Sequence, residues 1–208
     1  ISVDVLPADL TQTRDLAAVE ARLREDTQIG ILINNAGIAQ SGSFTEQTPD
    51  SIERLIALNV TALTRLASAV TPRFVQAGEG SIVNISSIVG LAPEFSMSVY
   101  GATKAFVLFL SQGMNVELSS QGIYIQAVLP AGTYTEIWDR AGIDISNSAK
   151  FMEVGELVDA ALVGFDRREL VTIPPLHNAA RWDTLDASRQ ALLSDIKQDE
   201  AAERYKAQ

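Results

Sequence analysis

An alternation of short apolar runs with longer segments of helical periodicity constrains the fold of this chain more than any other feature. The runs are rich in Ile, Val and Leu, and parallel strands that are buried on both faces have this composition. Parallel strands need crossover connections, which are usually helices. The alternation therefore predicts an α/β fold, a three-layer, doubly wound parallel sheet with helices on both faces. The expected strands lie at 1–6, 29–33, 81–85, 123–129 and 170–173, and the expected helices at 15–26, 49–77, 98–121, 154–165 and 183–205.

Length and composition limit the classes of protein to consider. The chain has 208 residues, 47% hydrophobic and 20% charged, which predicts a single globular domain over 1–208 that ends in a helical tail at 183–208. A formal net charge of −10 argues against a nucleic-acid partner, and the lack of cysteine leaves no disulfide or thiolate zinc site. We find no apolar stretch of about 18 residues and no basic N-terminal flank. We therefore expect a soluble, cytoplasmic protein with no membrane partner.

One stretch, from Ser81 to Lys104, carries reactive side chains at fixed offsets. Its pattern is typical of a strand, a loop and the start of a helix, and Ser87 directly follows the strand. Tyr100 and Lys104 are four residues apart, so a helix places both side chains on one face. Taken alone, this pair is equally consistent with a buried tyrosine beside a solvated lysine.

Two other kinds of site find less support. The carboxylates lie in separate segments, the single histidine, His177, lies in an expected loop, and no HExxH spacing occurs, so we expect no metal site. A serine hydrolase would need a GxSxG turn and a histidine partner, and the stretch around Ser87 has no such turn.

Five motifs together resemble the short-chain dehydrogenase/reductase family. They are NNAG at 34–37, Asn59 within LNV, NISS at 84–87, YxxxK at 100–104, and Pro130 with Thr135 after a later strand. Both their order and their spacing match the family, over about residues 1–175. The resemblance implies a Rossmann-like fold and an NAD(P)-dependent oxidoreductase that interconverts an alcohol and a ketone or aldehyde.

The resemblance implies catalytic roles for Asn59, Ser87, Tyr100 and Lys104. Tyr100 looks like the acid/base that exchanges a proton with the substrate oxygen. Lys104 looks like the group that tunes it, because a nearby ammonium favours the phenolate of a tyrosine, whose pKa is ordinarily ~10. Ser87 resembles the serine that hydrogen-bonds the substrate oxygen, and its neighbour Ser86 is the weaker candidate. Asn59 resembles the asparagine that holds a water between the lysine and solvent.

The resemblance also implies NAD or NADP as cofactor. In the family the corresponding residues contact the adenine, the riboses, the nicotinamide carboxamide and the phosphates. Asp9 could instead be a plain helix N-cap, and Asn35 a turn residue. The implied cofactor contacts are Asp9, Leu10, Asn35, Ala36, Gly37, Tyr100, Lys104, Pro130, Thr133 and Thr135.

The sequence departs from the family pattern in two places. The family usually has Pro-Gly where this chain has Pro130-Ala131-Gly132, a mild change if the local φ is negative. The larger departure is that no Gly-rich cofactor turn precedes the strand expected at 1–6. Our hypothesis is that the chain lacks at least one βαβ unit of roughly 30 residues, and the choice between NAD and NADP would be made there.

The resemblance implies a small alcohol or carbonyl substrate and a homodimer or homotetramer that pairs through the helices at 49–77 and 98–121. Apolar residues flank the catalytic positions and indicate an apolar substrate. Two alternatives stay open, a lyase or dehalogenase-like enzyme on the same fold and a non-catalytic binding protein. The flanking residues are Leu91, Pro93, Phe95, Val99 and Trp138.

Overall fold

The computed structural model describes residues 2–40, 42–142, 144–145 and 151–206. The chain divides into two compact units, Ile1–Pro174 and Pro175–Gln208. The second unit contains helix α7, Ala180–Asp195, and a 3₁₀ turn, Glu203–Tyr205, so the predicted helical tail is interrupted between them. Residues 146–150, and residues 207–208 of the predicted tail, lie outside the described residues.

Within the described residues, the first unit is built on four parallel strands in the order β1-β2-β3-β4, which confirms the predicted α/β fold. Its main helices fall where the helical periodicity predicted them, and a short helix follows Thr135. The strands are β1 Ile31–Asn34, β2 Gly80–Ile85, β3 Ile123–Val128 and β4 Val171–Thr172, and the helices are α1 Thr13–Glu25, α2 Pro49–Ile56, α3 Leu63–Ala77, α4 Ser98–Leu118, α5 Ile137–Arg140 and α6 Val154–Asp166.

Helices cover both faces of the sheet, as predicted. On one face, Leu32, Ile82 and Ile125 lie in register across β1, β2 and β3 and form a common core with residues of α1 and α3. On the other face, Gln126 donates a hydrogen bond to the carbonyl of Ala161 in α6 over 2.9 Å. The layers are therefore helix, sheet and helix.

The strand predicted at 1–6 is wrong for the described residues 2–6, which have no regular structure. Val3 and Val5 are 80% and 75% exposed, and Asp4 instead forms an ion pair with Arg22 of α1 at 3.0 Å. A strand is stable only beside another strand. Within the described part of the chain, β1 pairs with β2 alone, so residues 2–6 have no strand next to them.

Strand β1 is covered on one face only, whereas its sequence predicted a fully buried strand. Leu32 and Asn34 are buried, but Ile31 and Ile33 are 50% and 61% exposed. The difference arises because β1 is the edge strand of the described sheet, and the helices α1 and α3 pack on the face that carries Leu32.

One continuous helix runs from Pro49 to Ala77 and comprises α2, a π-helical segment at Ala57–Ala62, and α3. Its start is capped, because the Thr48 hydroxyl accepts a hydrogen bond from the amide of Ser51 over 3.3 Å. By length and composition this helix could cross a membrane, contrary to the expectation that no stretch could. The core helix of a soluble protein passes the same test, and several of its apolar residues are indeed buried.

We predict that Phe74→Ala destabilises the fold by about 3–5 kcal/mol, because the Phe74 ring is 1% exposed and its loss leaves a cavity. Phe44, which is 65% exposed, provides the matched control, and Phe44→Ala should change stability by less than about 0.5 kcal/mol. Denaturant unfolding of both variants measures the difference. Equal losses in the two variants would contradict this description of the core.

Candidate active site

Ser87 is fixed by the end of β2 and the turn that follows it. Its backbone is extended, with φ −169° and ψ 154°, and its hydroxyl caps a 3₁₀ helix, Ile88–Leu91, by accepting from the amide of Val89 over 3.2 Å. The same hydroxyl donates to the carbonyl of Pro130 over 3.3 Å, and it lies close enough to the phenol of Tyr100 to oppose the rise in pKa that burial causes there. The hydroxyls predicted to hold the substrate oxygen and to exchange its proton are therefore neighbours.

Tyr100 and Lys104 lie one turn apart on α4, and both are buried. The Lys104 amine donates to the carbonyl of Ile85 over 2.9 Å and lies 5.7 Å from the centre of the Tyr100 ring. Tyr100 and Lys104 thus occupy one face of the helix, as their spacing predicted.

Burial dominates the electrostatics of the pair. It raises the pKa of Tyr100, which the neighbouring hydroxyl of Ser87 opposes in part, and it lowers the pKa of Lys104 from 10.5 to about 8. The expected lowering of the tyrosine pKa by the ammonium is therefore wrong for this structure. The reason is that the phenolate would be taken out of water, while the lysine amine is directed at the carbonyl of Ile85.

Asn59 lies in the π-helical segment and clamps the turn after β1. Its Oδ1 accepts from the amide of Ile38 over 3.0 Å, and its Nδ2 donates to the carbonyl of Ile38 over 2.9 Å and to the Thr103 hydroxyl over 3.3 Å. A Cβ added to Gly37 would lie 3.3 Å from Asn59 Oδ1 and 3.7 Å from Lys104 Nζ. Glycine at this position therefore lets the main chain pass closely over both residues. The water-holding role of Asn59 stays a prediction.

A cavity of about 330 Å³ opens above the hydroxyls of Ser87 and Tyr100. A second cavity of about 460 Å³ shares Asn35, Gly37 and Thr135 with it, so the two form one cleft. A larger groove of about 800 Å³ between α1 and α3 contains none of the predicted site residues. The predicted site residues that line the smaller cavity are Asn35, Gly37, Ser87, Tyr100, Lys104, Pro130, Thr133 and Thr135.

Other predicted cofactor contacts lie outside this cleft. Asp9 is exposed, and hydrogen bonds from the hydroxyl and amide of Thr11 hold the pKa of its carboxyl below the ordinary value. Leu10 packs against the core, and Ala36 is exposed without lining either cavity. The roles of these three residues toward a cofactor stay predictions.

The turn after β3 completes the cavity wall. Ala131 has a negative φ, so the departure from Pro-Gly is as mild as expected. Thr133 is buried, and its carbonyl accepts from the indole N–H of Trp138 over 2.6 Å. Of the flanking apolar residues named from the sequence, Phe95 and Trp138 line the cavity, and Leu91, Pro93 and Val99 do not.

Residues that the sequence did not single out position or enclose the site. Asn84 accepts from Asn34 Nδ2 on β1 and donates to the Ser111 hydroxyl on α4, each over 2.9 Å. Asn84 is the first residue of the NISS motif at 84–87, but no role was expected for it. Phe151 and Leu157 line the cavity, but they are distant in sequence from the motifs. Among the described residues, no group of three or more His, Cys, Asp or Glu side chains could hold a metal.

A family model for short chain dehydrogenases matches residues 1–145. A very-long-chain 3-oxoacyl-CoA reductase from Anas platyrhynchos is 33% identical over 135 residues, which are 62% of this chain and 43% of that protein. The 2,5-dichloro-2,5-cyclohexadiene-1,4-diol dehydrogenase LinX from Sphingobium indicum is 32% identical over 165 residues, 77% of this chain and 64% of that protein. The chain thus spans less than two thirds of the length of these curated relatives.

Two solved structures are more similar. A short-chain dehydrogenase from Sphingobium yanoikuyae, in complex with NADPH, is 73% identical with a TM-score of 0.96, and the match covers 99% of this chain and 80% of that one. A bulky-bulky ketone specific alcohol dehydrogenase from Comamonas testosteroni is 62% identical with a TM-score of 0.92, covering 100% and 79%.

We predict that Lys104→Met changes how stability depends on pH. Below about pH 8 the buried ammonium opposes folding, and between about 8 and 10.5 only the unfolded state of the wild type keeps the proton. The free energy of unfolding of the wild type should therefore rise with pH relative to the variant, by at most about 3 kcal/mol. Denaturant unfolding across this range measures the difference. If the free energies of unfolding of the wild type and the variant change in parallel with pH, the burial of the Lys104 amine is contradicted.

Proposed function

The chain belongs to the short-chain dehydrogenase family, and on this premise we propose that it interconverts secondary alcohols and apolar ketones with a nicotinamide cofactor. One observation carries the proposal. The hydroxyls of Ser87 and Tyr100 are neighbours at the wall of one cavity of about 330 Å³, with the amine of Lys104 buried beside them. This arrangement can bind a carbonyl oxygen and transfer a proton to it.

In the direction of reduction, the carbonyl oxygen takes the place between the two hydroxyls. Ser87 donates a hydrogen bond, and Tyr100 delivers the proton as negative charge develops on the oxygen. Because burial raises the pKa of Tyr100, the phenol is protonated at neutral pH and is ready to act as the acid. Alcohol oxidation needs the phenolate, so it should be favoured by a higher pH than reduction.

Lys104 and Asn59 supply the route by which the proton on Tyr100 is replaced. The Lys104 amine, with its pKa near 8, gains and loses a proton within reach of neutral pH. A Cβ added to Gly37 would contact both Asn59 Oδ1 and Lys104 Nζ, so the three residues adjoin at the mouth of the cleft. A water held at the carbonyl of Ile38, which Asn59 orients, would connect this amine to solvent.

The cleft fits the nicotinamide end of a dinucleotide that passes over Gly37. Asn35, Gly37 and Thr135 line both cavities, and the glycine leaves the main chain bare where the cofactor would approach Lys104. When bound, a nicotinamide cofactor supplies or accepts the hydride. We favour NADPH, because the Sphingobium yanoikuyae relative was solved with it.

The cavity supports a ketone with an apolar substituent on each side of the carbonyl. One wall comes from the turn and helix start after β2 and the other from the segment after β3, and the Comamonas testosteroni relative is specific for bulky-bulky ketones. The first wall contains Val89, Phe95 and Met97, and the second Trp138, Phe151 and Leu157.

The exposed apolar side of helix α4 supports a homo-oligomeric enzyme. Phe106, Phe109 and Val116 on this helix are 40%, 75% and 80% exposed, and their helical spacing puts them near one another on its outer side. Burying such a stripe against a second copy removes apolar surface from water.

We also propose that the enzyme is cytoplasmic. The absence of cysteine is compatible with the reducing cytoplasm.

We predict that Tyr100→Phe lowers kcat for ketone reduction at least about 100-fold, because the variant keeps the ring but has no proton to deliver. NADPH affinity, measured by calorimetry, should stay near the wild-type value. Tyr205→Phe, at a position 73% exposed, is the matched control and should retain full activity. Activity is followed by the absorbance of the reduced cofactor. A Tyr100→Phe enzyme of near-normal turnover would rule out the mechanism, and a wild type that consumes no cofactor would favour the lyase or binding-protein alternatives.

We predict that Phe109→Asp shifts the protein toward monomers, because it places a charge in the proposed subunit contact. Sedimentation velocity of wild type and variant at equal concentration measures the shift. Phe44→Asp, which alters another exposed phenylalanine, should leave the assembly unchanged. A wild type that already sediments as a monomer would disprove the proposed oligomer.

A further inference from the structure

We propose that Phe151, which packs against Gly132, sets the size of the second substituent that a ketone substrate can carry. This inference rests on the proposed ketone reduction and extends it to one pair of residues. Both residues line the cavity above Ser87 and Tyr100.

The position of the substrate oxygen determines which wall of the cavity the second substituent meets. A carbonyl oxygen held by the hydroxyls of Ser87 and Tyr100 fixes the carbonyl carbon, so its two substituents must diverge toward the two walls of the cavity. On the side of the turn after β3, the Phe151 ring lies 5.2 Å from the ring of Trp138 and 5.6 Å from that of Tyr134. The substituent on this side therefore meets an aromatic wall.

Gly132 gives the Phe151 ring the room that it occupies. A Cβ built on Gly132 would lie 2.6 Å and 2.7 Å from Cε1 and Cδ1 of that ring, closer than side chains approach one another. The backbone of Gly132 does not have a positive φ, so conformational freedom does not account for the glycine. The close approach of the ring does.

Main-chain hydrogen bonds hold the wall in place. The amide of Met152 donates to the carbonyl of Gly132 over 2.9 Å, and the amide of Tyr134 donates to the carbonyl of Met152 over 3.0 Å. The segment that carries Phe151 is thus bonded on its far side to the turn that carries Gly132. Because the backbone of this segment is bonded to that turn, we expect a ring displaced from Gly132 to move toward the cavity that both residues line.

Because of these contacts, substitutions of Gly132 and of Phe151 should have opposite effects on the space for the second substituent. Gly132→Ala displaces the ring into the cavity and should make the space for the second substituent smaller. Phe151→Ala removes the ring and should make that space larger. Because the first substitution acts through the ring, it should have no effect on size selection once Phe151 is alanine.

The test compares kcat/KM for acetophenone and benzophenone, which share one phenyl group and differ in the second substituent, with NADPH as reductant. Gly132→Ala should lower the benzophenone to acetophenone ratio by about tenfold or more, and Phe151→Ala should raise it by a similar factor. The double variant should show the ratio of Phe151→Ala. Gly155→Ala on α6 is the matched control, because an added Cβ there would meet no described atom within 4 Å, and its ratio should equal that of the wild type.

Each other outcome counts against one specific statement. An active wild type whose single variants change both ketones by the same factor, or whose double variant shows independent effects, overturns the role of Phe151. If Gly132→Ala does not fold, as judged by circular dichroism, Phe151→Ala and Phe151→Leu decide, and an unchanged ratio in both overturns it. A wild type that reduces neither ketone overturns the proposed function itself.

Discussion

The close attachment of helix α4 to the end of strand β2 is the constraint on which the site depends. Three consecutive residues, the last two of β2 and the one that follows, bond to the helix. The side chain of Asn84 donates to Ser111, the carbonyl of Ile85 accepts from the Lys104 amine, and the hydroxyl of Ser86 donates to the carbonyl of Lys104 over 2.7 Å. These bonds fix the helix along its axis and about it. Tyr100 consequently lies beside Ser87 at the wall of the cavity.

The same attachment explains the electrostatics. A helix held this near to a strand excludes water from the groups between them, and both Tyr100 and Lys104 lose the solvation of their charged forms. The structure offers the lysine a backbone carbonyl rather than a carboxylate, so its charge is only partly compensated. The neutral phenol and the easily deprotonated amine therefore have one origin, which is the packing of α4 on β2.

Patterns of residues that are close together in sequence were sufficient to predict much of this structure. Apolar runs and helical periodicity located β2, β3 and the main helices. The spacing of Tyr100 and Lys104 placed them on one helix face, and the family resemblance added Ser87 to their site. The strand at 1–6 failed because a pattern of alternation does not say whether a neighbouring strand is present. The wall formed by Phe151 was not predictable either, since its contact with Gly132 joins segments that no local pattern relates. The direction in which the pKa of Tyr100 shifts also depends on burial, which a sequence motif does not report.

The π-helical segment at Ala57–Ala62 has a consequence for how this chain can vary. A π turn holds one residue more than the α-helical hydrogen-bonding pattern needs, and here that extra residue lies beside Asn59. Deleting one residue in the segment would restore a regular helix and rotate everything on one side of it by about 100° relative to the other. Asn59 would then turn away from Ile38, or the core face of α3 would turn away from the sheet. Length in this part of the chain is therefore under tighter constraint than residue identity, and single-residue insertions and deletions should be tolerated in the loops before Thr48 but not here.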